Sequence, residues 1–374
     1  MHILIAMDSF KGSLSAYQLN QTIKETLLSL NNTLKITTLP IADGGEGTLD
    51  ALQHLPHAKR ISLTVHNPLM KPIKADYLII DNTAIIEMAQ ASGLPLLKPH
   101  EQNPLYTTTY GVGEIIKDAI KKQVKIIIIT VGGSATHDGG IGCMTALGYE
   151  FLDTDHHVID PVGNNLGMIA SIDSTKRISI PHDVQFHVAC DVTNPLTGTK
   201  GAAYIYAKQK GAAPKEILHL EQGLTHYKRL LKKDDTSLDT LQPGLGAAGG
   251  LPLSLIAFLN AKLSSGANLI FDMLHVDKTI KSSDLIITGE GKVDRQTFHN
   301  KAVFSLLKRA QRYHKPSIIL GGVIEKEAYA LINYGAFIIK SIHNTDQITK
   351  DMLTEAYTKK RLKITLKSLA HLLK

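Results

Sequence analysis

The sequence predicts an α/β protein made of two α/β domains, and three observations lead to this prediction. Short runs rich in isoleucine and valine recur along the chain, and most are followed by helical spacing of apolar residues. In the middle of the chain the pattern changes to paired, hairpin-like runs, which indicate a mixed sheet. The length of 374 residues also exceeds the size at which one core usually keeps growing.

The runs that predict parallel strands are short and strongly apolar. They lie at 2–7, 36–41, 126–131, 284–288, 316–320 and 336–340. The run from Ile126 to Val131 is apolar except at Thr130 rather than alternating, as expected for a strand that is covered on both faces. Helical spacing is found in 15–30, in 111–122 and in the tail from about 346.

The first half of the chain also contains an antiparallel pattern. Runs beginning at Thr64, at Asp76 and at Thr83 are separated by predicted turns at Asn67–Pro68 and Asp81–Asn82. The strand–helix pattern of the start resumes only near Asp284. We therefore predict a flavodoxin-like (Rossmann-type) domain with a parallel sheet from residues 1–62 and 280–374, and an inserted mixed α/β domain from residues 63–279.

Composition excludes several classes of protein. With 43% hydrophobic and 20% charged residues, the chain is typical of a globular protein rather than a disordered one. It has no basic leader and no run of roughly 18 apolar residues, so we expect a cytoplasmic protein that does not cross a membrane. Cys143 and Cys190 form no zinc-ligand or disulfide pattern, which favours a reducing compartment.

The formal net charge of +7 does not predict a nucleic-acid partner. Much of the excess lies near the end of the chain, at Lys359, Lys360, Arg361, Lys363, Lys367 and Lys374. Because aromatic residues do not interleave with these positions, we interpret them as the solvated face of a helix.

Six loops that supply glycines, carboxylates or basic residues lie at or near the ends of the apolar runs. They are Asp8–Ser13, Ala42–Thr48, Gly132–Gly140, Cys190–Pro195, Gly244–Gly250 and Thr288–Thr297. In open parallel sheets, ligands bind beyond the carboxyl ends of the strands. The loops are therefore the candidates for the functional site.

The residue types in these loops suit phosphate chemistry. Glycine-rich loops before helices let backbone N–H groups approach an anion. Carboxylates can hold Mg²⁺, and the candidates are Asp8, Asp43, Glu46, Asp191, Glu290 and Asp294. Basic side chains can stabilise a phosphoryl group in transfer, and the candidates are Lys11, Lys292, Arg295 and Lys301.

Structural interpretations of the same residues stay open. A Gly–Gly pair is also typical of a tight turn or helix cap. Ser13, Ser15 and Thr48 suit helix N-caps. His137 beside Asp138 is either an acid–base pair or a structural contact, and Asp138 is also a candidate cap.

Standard phosphate motifs are absent from the sequence. There is no GxxxxGK[ST] segment, so the chain is not a P-loop kinase. Gly244, Gly246 and Gly249 fit GxGxxG, but no predicted strand precedes them, and we reject a Rossmann dinucleotide site. Covalent catalysis by Asp8 would require an acid where Phe10 stands.

Taken together and in order, these loops and the segment Thr107–Glu114 resemble the glycerate kinase family from residue 2 to about 340. The resemblance implies ATP- and Mg²⁺-dependent phosphorylation of glycerate at its 2-hydroxyl. It also implies two α/β domains with the active site in the cleft between them. The chain departs from the family pattern at Met7, at His137 and in the segment 298–303, where the family tends to have Gly-Lys-Thr-Pro.

The expected reaction converts D-glycerate and ATP into 2-phosphoglycerate and ADP. The hypothesis has Asp191 or Asp294 accepting the hydroxyl proton and Lys11 or Arg295 pairing with the glycerate carboxylate. The complete set is Asp8, Lys11, Asp191, Asp294 and Arg295 for catalysis; Gly132, Gly133, Ser134, Gly139, Gly246, Gly249, Gly250, Lys292 and Lys301 for ATP; and Asp43, Glu46 and Glu290 for Mg²⁺.

Two rival functions are kept. A metal-dependent phosphate-ester hydrolase would use similar acids and glycines. A glycerate- or nucleotide-binding regulator without catalysis is motivated by the altered frame around Lys301. We expect small-molecule partners, no nucleic acid and no membrane, and leave a homodimer open.

Overall fold

The computed structural model describes residues 1–42, 44–45, 47–298, 302–343 and 349–373. Two compact units form. The terminal unit comprises Met1–Asp43, Asp50–Leu55 and Ala267–Lys374, and the middle unit comprises Gly44–Leu49 and Pro56–Gly266. The domain limits predicted near residues 62 and 280 stay a prediction.

The strands are short, as the apolar runs predict. They are β1 (His2–Met7), β2 (Lys35–Thr38), β3 (Ala58–His66), β4 (Pro72–Ile80), β5 (Thr83–Glu87), β6 (Ile126–Thr130), β7 (Glu150–Leu152), β8 (Ser171–Asp173), β9 (Gln185–Ala189), β10 (Lys262–Ser264), β11 (Leu285–Val293), β12 (Ser317–Ile324) and β13 (Ala336–Ser341).

The α-helices lie mostly between these strands. They are α1 (Ala16–Leu30), α2 (Thr48–Leu52), α3 (Ala89–Ser92), α4 (Tyr110–Lys121), α5 (Ile141–Ala146), α6 (Pro214–Asp234), α7 (Leu251–Leu259), α8 (Gly266–Met273), α9 (Val276–Ser282), α10 (Ala302–Arg312) and α11 (Glu355–Ser368). Short 3₁₀ segments include Ala247–Gly250, Arg295–Phe298 and Lys350–Leu353, and Ala203–Ala207 is π-helical.

The terminal unit is built on a parallel sheet with strands from both chain ends. Its order is β13-β12-β11-β1-β2, and every neighbouring pair is parallel. Because side chains alternate along a strand, Ile3 and Ile5 of β1 pack with α1 and α11, whereas Leu4 packs on the opposite face near Phe271 and Leu306. Both faces are therefore covered, and the predicted parallel sheet is confirmed.

The sequence predicts where two helices begin, with Ser15 as a candidate N-cap of α1 and helical spacing in the tail from about residue 346. Ser15 is the N-cap of α1, since its Oγ accepts from Gln18 N at 3.2 Å and its N–H donates to Gln18 Oε1 at 3.0 Å. The tail helix predicted from about 346 begins only at Glu355, because Thr354 is extended (φ −70°, ψ 144°). Residues 346–348 lie outside the described residues.

The middle unit is built on a mixed sheet, as predicted. Its order is β10-β9-β6-β5-β4-β3. The pairs β3–β4 and β4–β5 are antiparallel, and the remaining pairs are parallel. Asp81 adopts φ +52° at the second predicted turn. The fold class, two α/β units with one parallel and one mixed sheet, is confirmed.

Across the described part of the chain, none of the helices combines enough length with enough apolar character to span a membrane.

Candidate active site

A pocket of about 450 Å³ lies in the terminal unit, where β1, β11 and β12 end. Five residues predicted from sequence line it: Asp8, Lys11, Glu290, Lys292 and Asp294. They come from segments far apart in the sequence, and the parallel strand order places those segments side by side.

The loop after β1 is held by backbone contacts. The N–H of Asp8 donates to Gly289 O at 2.9 Å, which continues the pairing of β1 with β11. The Asp8 carboxylate in turn accepts from the N–H of Ser9 at 2.6 Å. Phe10 forms an antiparallel bridge with Leu14, which closes the loop before α1. Asp8 is therefore presented by a short, internally bonded turn.

The strand β11 requires glycine beside the pocket. A Cβ on Gly289 would lie 1.7 Å from the carbonyl oxygen of Leu320 in β12, so no larger residue fits there. One residue later, Glu290 is buried with 7% exposure, and Asp294 is buried with 8% exposure. The close contact between β11 and β12 at Gly289 therefore lies directly before the segment that carries both carboxylates.

Thr297 organises the two buried carboxylates, and the sequence reasoning did not assign it a role. Its Oγ1 donates to Glu290 Oε1 at 2.7 Å and accepts from the backbone N–H of Asp294 at 3.0 Å. Thr297 is itself fully buried. In the sequence, only its position at the end of a predicted loop pointed to a role for Thr297. A hydroxyl at such a position is equally typical of a turn residue.

Lys292 carries a stable positive charge at the pocket. Its Nζ lies 2.6 Å from Glu325 Oε1 and 3.5 Å from Asp294 Oδ2. The hydrogen bond to Glu325 is the main cause that raises the pKa of Lys292 above its usual value. Because the side chain is 57% exposed, we expect it to stay protonated and able to reach a ligand.

The donor chemistry of the pocket suits a magnesium ion that is held partly by a ligand. Asp8, Glu290 and Asp294 supply hard oxygen atoms, and Mg²⁺ in phosphoryl-transfer sites needs only one or two carboxylates beside phosphate oxygens and water. Among the described residues, no three carboxylates of the pocket converge within 4.8 Å of one another. Asp43 and Glu46, both predicted as metal ligands, lie outside the described residues.

The predicted glycine loop Gly132–Gly140 of the middle unit follows β6, and hydrogen bonds to Asp138 hold it in place. This fully buried carboxylate accepts from Thr109 N at 2.7 Å, Thr109 Oγ1 at 2.7 Å, Gly140 N at 3.1 Å and Gly142 N at 3.2 Å. Burial raises the pKa of Asp138, and these four hydrogen bonds oppose that rise. Of the two interpretations of Asp138, this geometry supports the structural one.

Lys210 is buried against the same loop, which the sequence did not indicate. Its Nζ donates to Ser134 Oγ at 2.7 Å and to Thr136 O at 2.6 Å, and the residue is only 2% exposed. Burial lowers the pKa of Lys210 to about 7, although the charge of Asp138 acts in the opposite direction. No spacing rule distinguishes this lysine from its exposed neighbour Lys208.

His137 is enclosed in the same buried cluster. It is fully buried, and neither ring nitrogen has a hydrogen-bond partner among the described residues. Burial lowers the pKa of His137 to about 3, with a further contribution from Lys210. The ring is therefore neutral at pH 7, and it forms no acid–base hydrogen bond with Asp138.

Four of the predicted glycines have packing roles in the middle unit. A Cβ on Gly249, which has φ +65°, would lie 2.3 Å from Thr136 O, and one on Gly246 would lie 2.3 Å from Pro195 O. Gly139 donates to Gly249 O at 3.0 Å, and Gly250 has its nearest neighbours in leucine side chains. These glycines are buried, whereas Gly132 and Gly133 are more open. Contact with ATP phosphates stays a prediction for all of them.

The comparison with known families is decisive for the protein's class. A family model described as "Glycerate kinase family" matches residues 3–374. The chain belongs to the glycerate kinase family. The resemblance inferred from its loops, and the prediction that the chain is an enzyme, are confirmed.

Individual relatives agree with this assignment of the glycerate kinase family. A protein named glycerate kinase from Bacillus cereus is 38% identical over 99% of this chain and 97% of its own length. A protein named glycerate 2-kinase from Escherichia coli is 38% identical over 91% of this chain and 90% of its own length. A crystal structure from Salmonella typhimurium LT2, described as "putative glycerate kinase 2", matches with TM-score 0.89 and 37% identity, covering 100% of this chain and 98% of that one.

The remaining predicted residues of this glycerate kinase family member are not among those that line the pocket, or they are not described. Asp191 belongs to the middle unit, where its Oδ1 accepts from Ser265 Oγ at 2.8 Å and Gly266 N at 3.1 Å. Arg295 is exposed and is not among the described residues that line the pocket. Lys301 lies outside the described residues, so the altered segment around it has no structural account.

Proposed function

We propose that this protein transfers a phosphoryl group from ATP to the 2-hydroxyl of D-glycerate, giving 2-phosphoglycerate and ADP. The observation that carries the proposal is the pocket of the terminal unit. It groups carboxylates and lysines in a chain that matches the glycerate kinase family over almost its whole length. The relative named glycerate 2-kinase supports the choice of hydroxyl.

Asp294 is the proposed general base of this reaction. It lines the pocket, is 8% exposed and has its backbone fixed by Thr297, so its carboxylate would be held in a defined place. Proton transfer to a positioned side chain typically contributes about 10²- to 10⁴-fold in rate. Asp191, the alternative base, already accepts two hydrogen bonds on one oxygen, which makes it the weaker candidate.

The basic side chains are assigned by their position in the pocket. Lys292 would stabilise the negative charge of the transferring phosphoryl group, because its pairing with Glu325 keeps it protonated. Lys11 would pair with the glycerate carboxylate. Arg295, the alternative to Lys11, is exposed and does not belong to the described lining.

Asp8 and Glu290 are the proposed protein ligands of the nucleotide-bound magnesium ion. When bound, Mg²⁺ supplies positive charge to the phosphate oxygens. Glu290 is oriented for this role by the hydroxyl of Thr297 at 2.7 Å. In the middle unit, Gly132 and Gly133 are the proposed phosphate contacts, because they are more open than the other predicted glycines.

Product analysis tests the proposal. The protein would be incubated with Mg-ATP and D-glycerate, and ADP and the phosphorylated acid would be identified by phosphorus–proton correlation NMR. We expect ADP and 2-phosphoglycerate in equal amounts, and no product from ATP alone.

The same assay separates the rival functions. Phosphate release without glycerate would favour a phosphate-ester hydrolase and contradict the kinase proposal. Tight binding of ATP and glycerate with no product would favour a regulator. Formation of 3-phosphoglycerate would retain the kinase and refute the choice of hydroxyl.

A further inference from the structure

The pocket of the terminal unit has a second wall that the proposed chemistry does not use. It is formed by Phe10, Val323, Met352 and Leu353 together with His343, and Val323 is the strand partner of Lys292. Leu353 is 41% exposed, although it is a large apolar side chain. An exposed leucine inside a pocket gains stability when a ligand covers it.

This wall is anchored to the loop that carries Asp8 and Lys11. Thr358 of α11, which is 1% exposed, hydrogen bonds through its Oγ1 to Ser13 Oγ at 2.6 Å and to Met352 O at 3.4 Å. The segment before α11 is thus tied to the loop after β1. We expect the loop that carries Asp8 and Lys11 to keep its spacing from the apolar wall when a ligand binds.

Two contacts hold His343 in the wall, and a third fixes the backbone of the residue before it. Its backbone N–H donates to Ser341 Oγ at 3.1 Å, and Arg361 Nε donates to the preceding carbonyl of Ile342 at 2.9 Å. Its ring stacks on Tyr357 with centroids 5.7 Å apart. Burial, aided by the charge of Arg361, lowers the pKa of His343, so a neutral aromatic ring stands at this position.

Glycerate and the nucleotide differ in size and in chemistry, and only one of them suits the apolar wall. A volume of about 450 Å³ falls in the range of roughly 300–1,000 Å³ that holds drug-sized ligands. Glycerate is a small acid whose carboxylate and hydroxyls leave almost no apolar surface to bury. A nucleotide combines a flat, largely apolar base with a charged phosphate chain, which matches a pocket lined by both apolar and charged residues.

We propose that the pocket binds the nucleotide, with the nucleoside against Val323, Met352, Leu353 and His343 and the phosphate chain toward Lys292. This inference rests on the proposed function, because it takes the adenine nucleotide as the phosphoryl donor. It gives His343 and the segment 352–353 the role of nucleoside contacts, which neither the family match nor the relatives assign.

Calorimetric titration of three ligands in buffer containing Mg²⁺ tests the assignment. ADP carries both parts of the nucleotide, pyrophosphate carries only the charged part, and D-glycerate is the acceptor. Leu353→Asn should weaken ADP about tenfold through the lost apolar contact and leave pyrophosphate and D-glycerate within about twofold. Lys292→Met should weaken both ADP and pyrophosphate.

Matched variants keep the test interpretable. Ile364→Asn makes the same kind of change on the exposed face of α11, where the side chain is 47% exposed, and should leave all three affinities unchanged. Met352→Gln repeats the change in the wall with nearly equal volume, in case Leu353→Asn does not fold. His343→Phe keeps an aromatic ring and should weaken ADP by only a few-fold.

The outcomes separate this inference from the proposed reaction. If ADP affinity is unaltered in both wall variants, or if D-glycerate affinity falls instead, the nucleoside assignment is overturned. If the wild-type protein forms no phosphorylated glycerate but the ADP pattern holds, the reaction fails and the nucleotide pocket stands.

Discussion

The two polar clusters of this protein differ in their exposure to solvent. In the terminal unit, Asp8, Lys11 and Lys292 line a pocket open to ligands. In the middle unit, Asp138 and Lys210 are sealed from solvent and bonded to their own loops. Both clusters combine acid and base beside glycines, yet the first lines a pocket, where we propose that a ligand binds, and the second holds loops in place. Accessibility rather than residue type separates them.

The largest expected effect is on catalysis in the terminal unit. Asp294→Asn should lower kcat by about 10²- to 10⁴-fold while leaving the melting temperature nearly unchanged, since it removes the proposed base but keeps the side-chain shape. Steady-state kinetics and thermal unfolding measure the two quantities. Glu327→Gln, an exposed carboxylate-to-amide change in the same unit, serves as the control. Near-normal turnover of the Asp294 variant would exclude it as the base.

The next effect is a loss of stability in acid that originates in the middle unit. The pKa of His137 is about 3 when folded and about 6.5 when unfolded, so the unfolded state binds more protons between these values. This contribution to stability is therefore full above pH 6.5 and lost as pH falls toward 3, by at most about 4 kcal/mol. In urea unfolding, His137→Asn should lose less stability than the wild type over this range.

An exposed histidine provides the comparison for that experiment. His156→Asn should leave the pH dependence unchanged, because the side chain is solvated in the folded state as well. If His137→Asn follows the wild-type curve between pH 6.5 and 3, the buried neutral imidazole is not a source of acid sensitivity.

A third prediction concerns the loops that Asp138 joins. Asp138→Asn replaces an acceptor of four hydrogen bonds with a group that can accept fewer, and removes the charge near Lys210. We expect a loss of about 3 kcal/mol in the free energy of unfolding, measured in urea. Asp155→Asn on an exposed turn should cost less than about 0.5 kcal/mol. Equal stability of the two variants would mean that the buried network contributes little.

The smallest expected effect compares Lys11 with Arg295. Lys11→Met should raise KM for glycerate about 10- to 100-fold with a smaller change in kcat, because it removes the proposed partner of the substrate carboxylate. Arg295→Met should change KM by less than about twofold, since this exposed side chain is absent from the described lining. The reverse pattern would move the carboxylate contact to Arg295.

Much of the fold followed from local patterns. The apolar runs from His2 and from Ile126 became strands, and the turns at Asn67 and Asp81 became hairpins, because burial and turn chemistry act on neighbouring residues. The start of α11 was placed too early, because a 3₁₀ turn at Lys350–Leu353 satisfies the same apolar pattern. Helix ends depend on backbone geometry that spacing alone does not fix.

The candidate site was predictable only in part. Asp8, Glu290 and Asp294 were found because strand ends in a parallel sheet meet at one edge. His343 and Lys210 were not, because no local motif connects them to the residues they contact. Thr297 lies in a predicted loop, but a hydroxyl there is equally typical of a turn residue.

By itself, the sequence determined the α/β class, the pairing of strands from both chain ends in one sheet, and the acids and lysines at the ends of those strands. These features follow from periodicity and from chain direction. Only the tertiary structure decided that Lys292 faces a pocket whereas Lys210 is buried, and that Gly249 packs against Thr136. Burial and close approach depend on residues distant in the chain, so a lysine or glycine does not reveal its surroundings until those residues are in place.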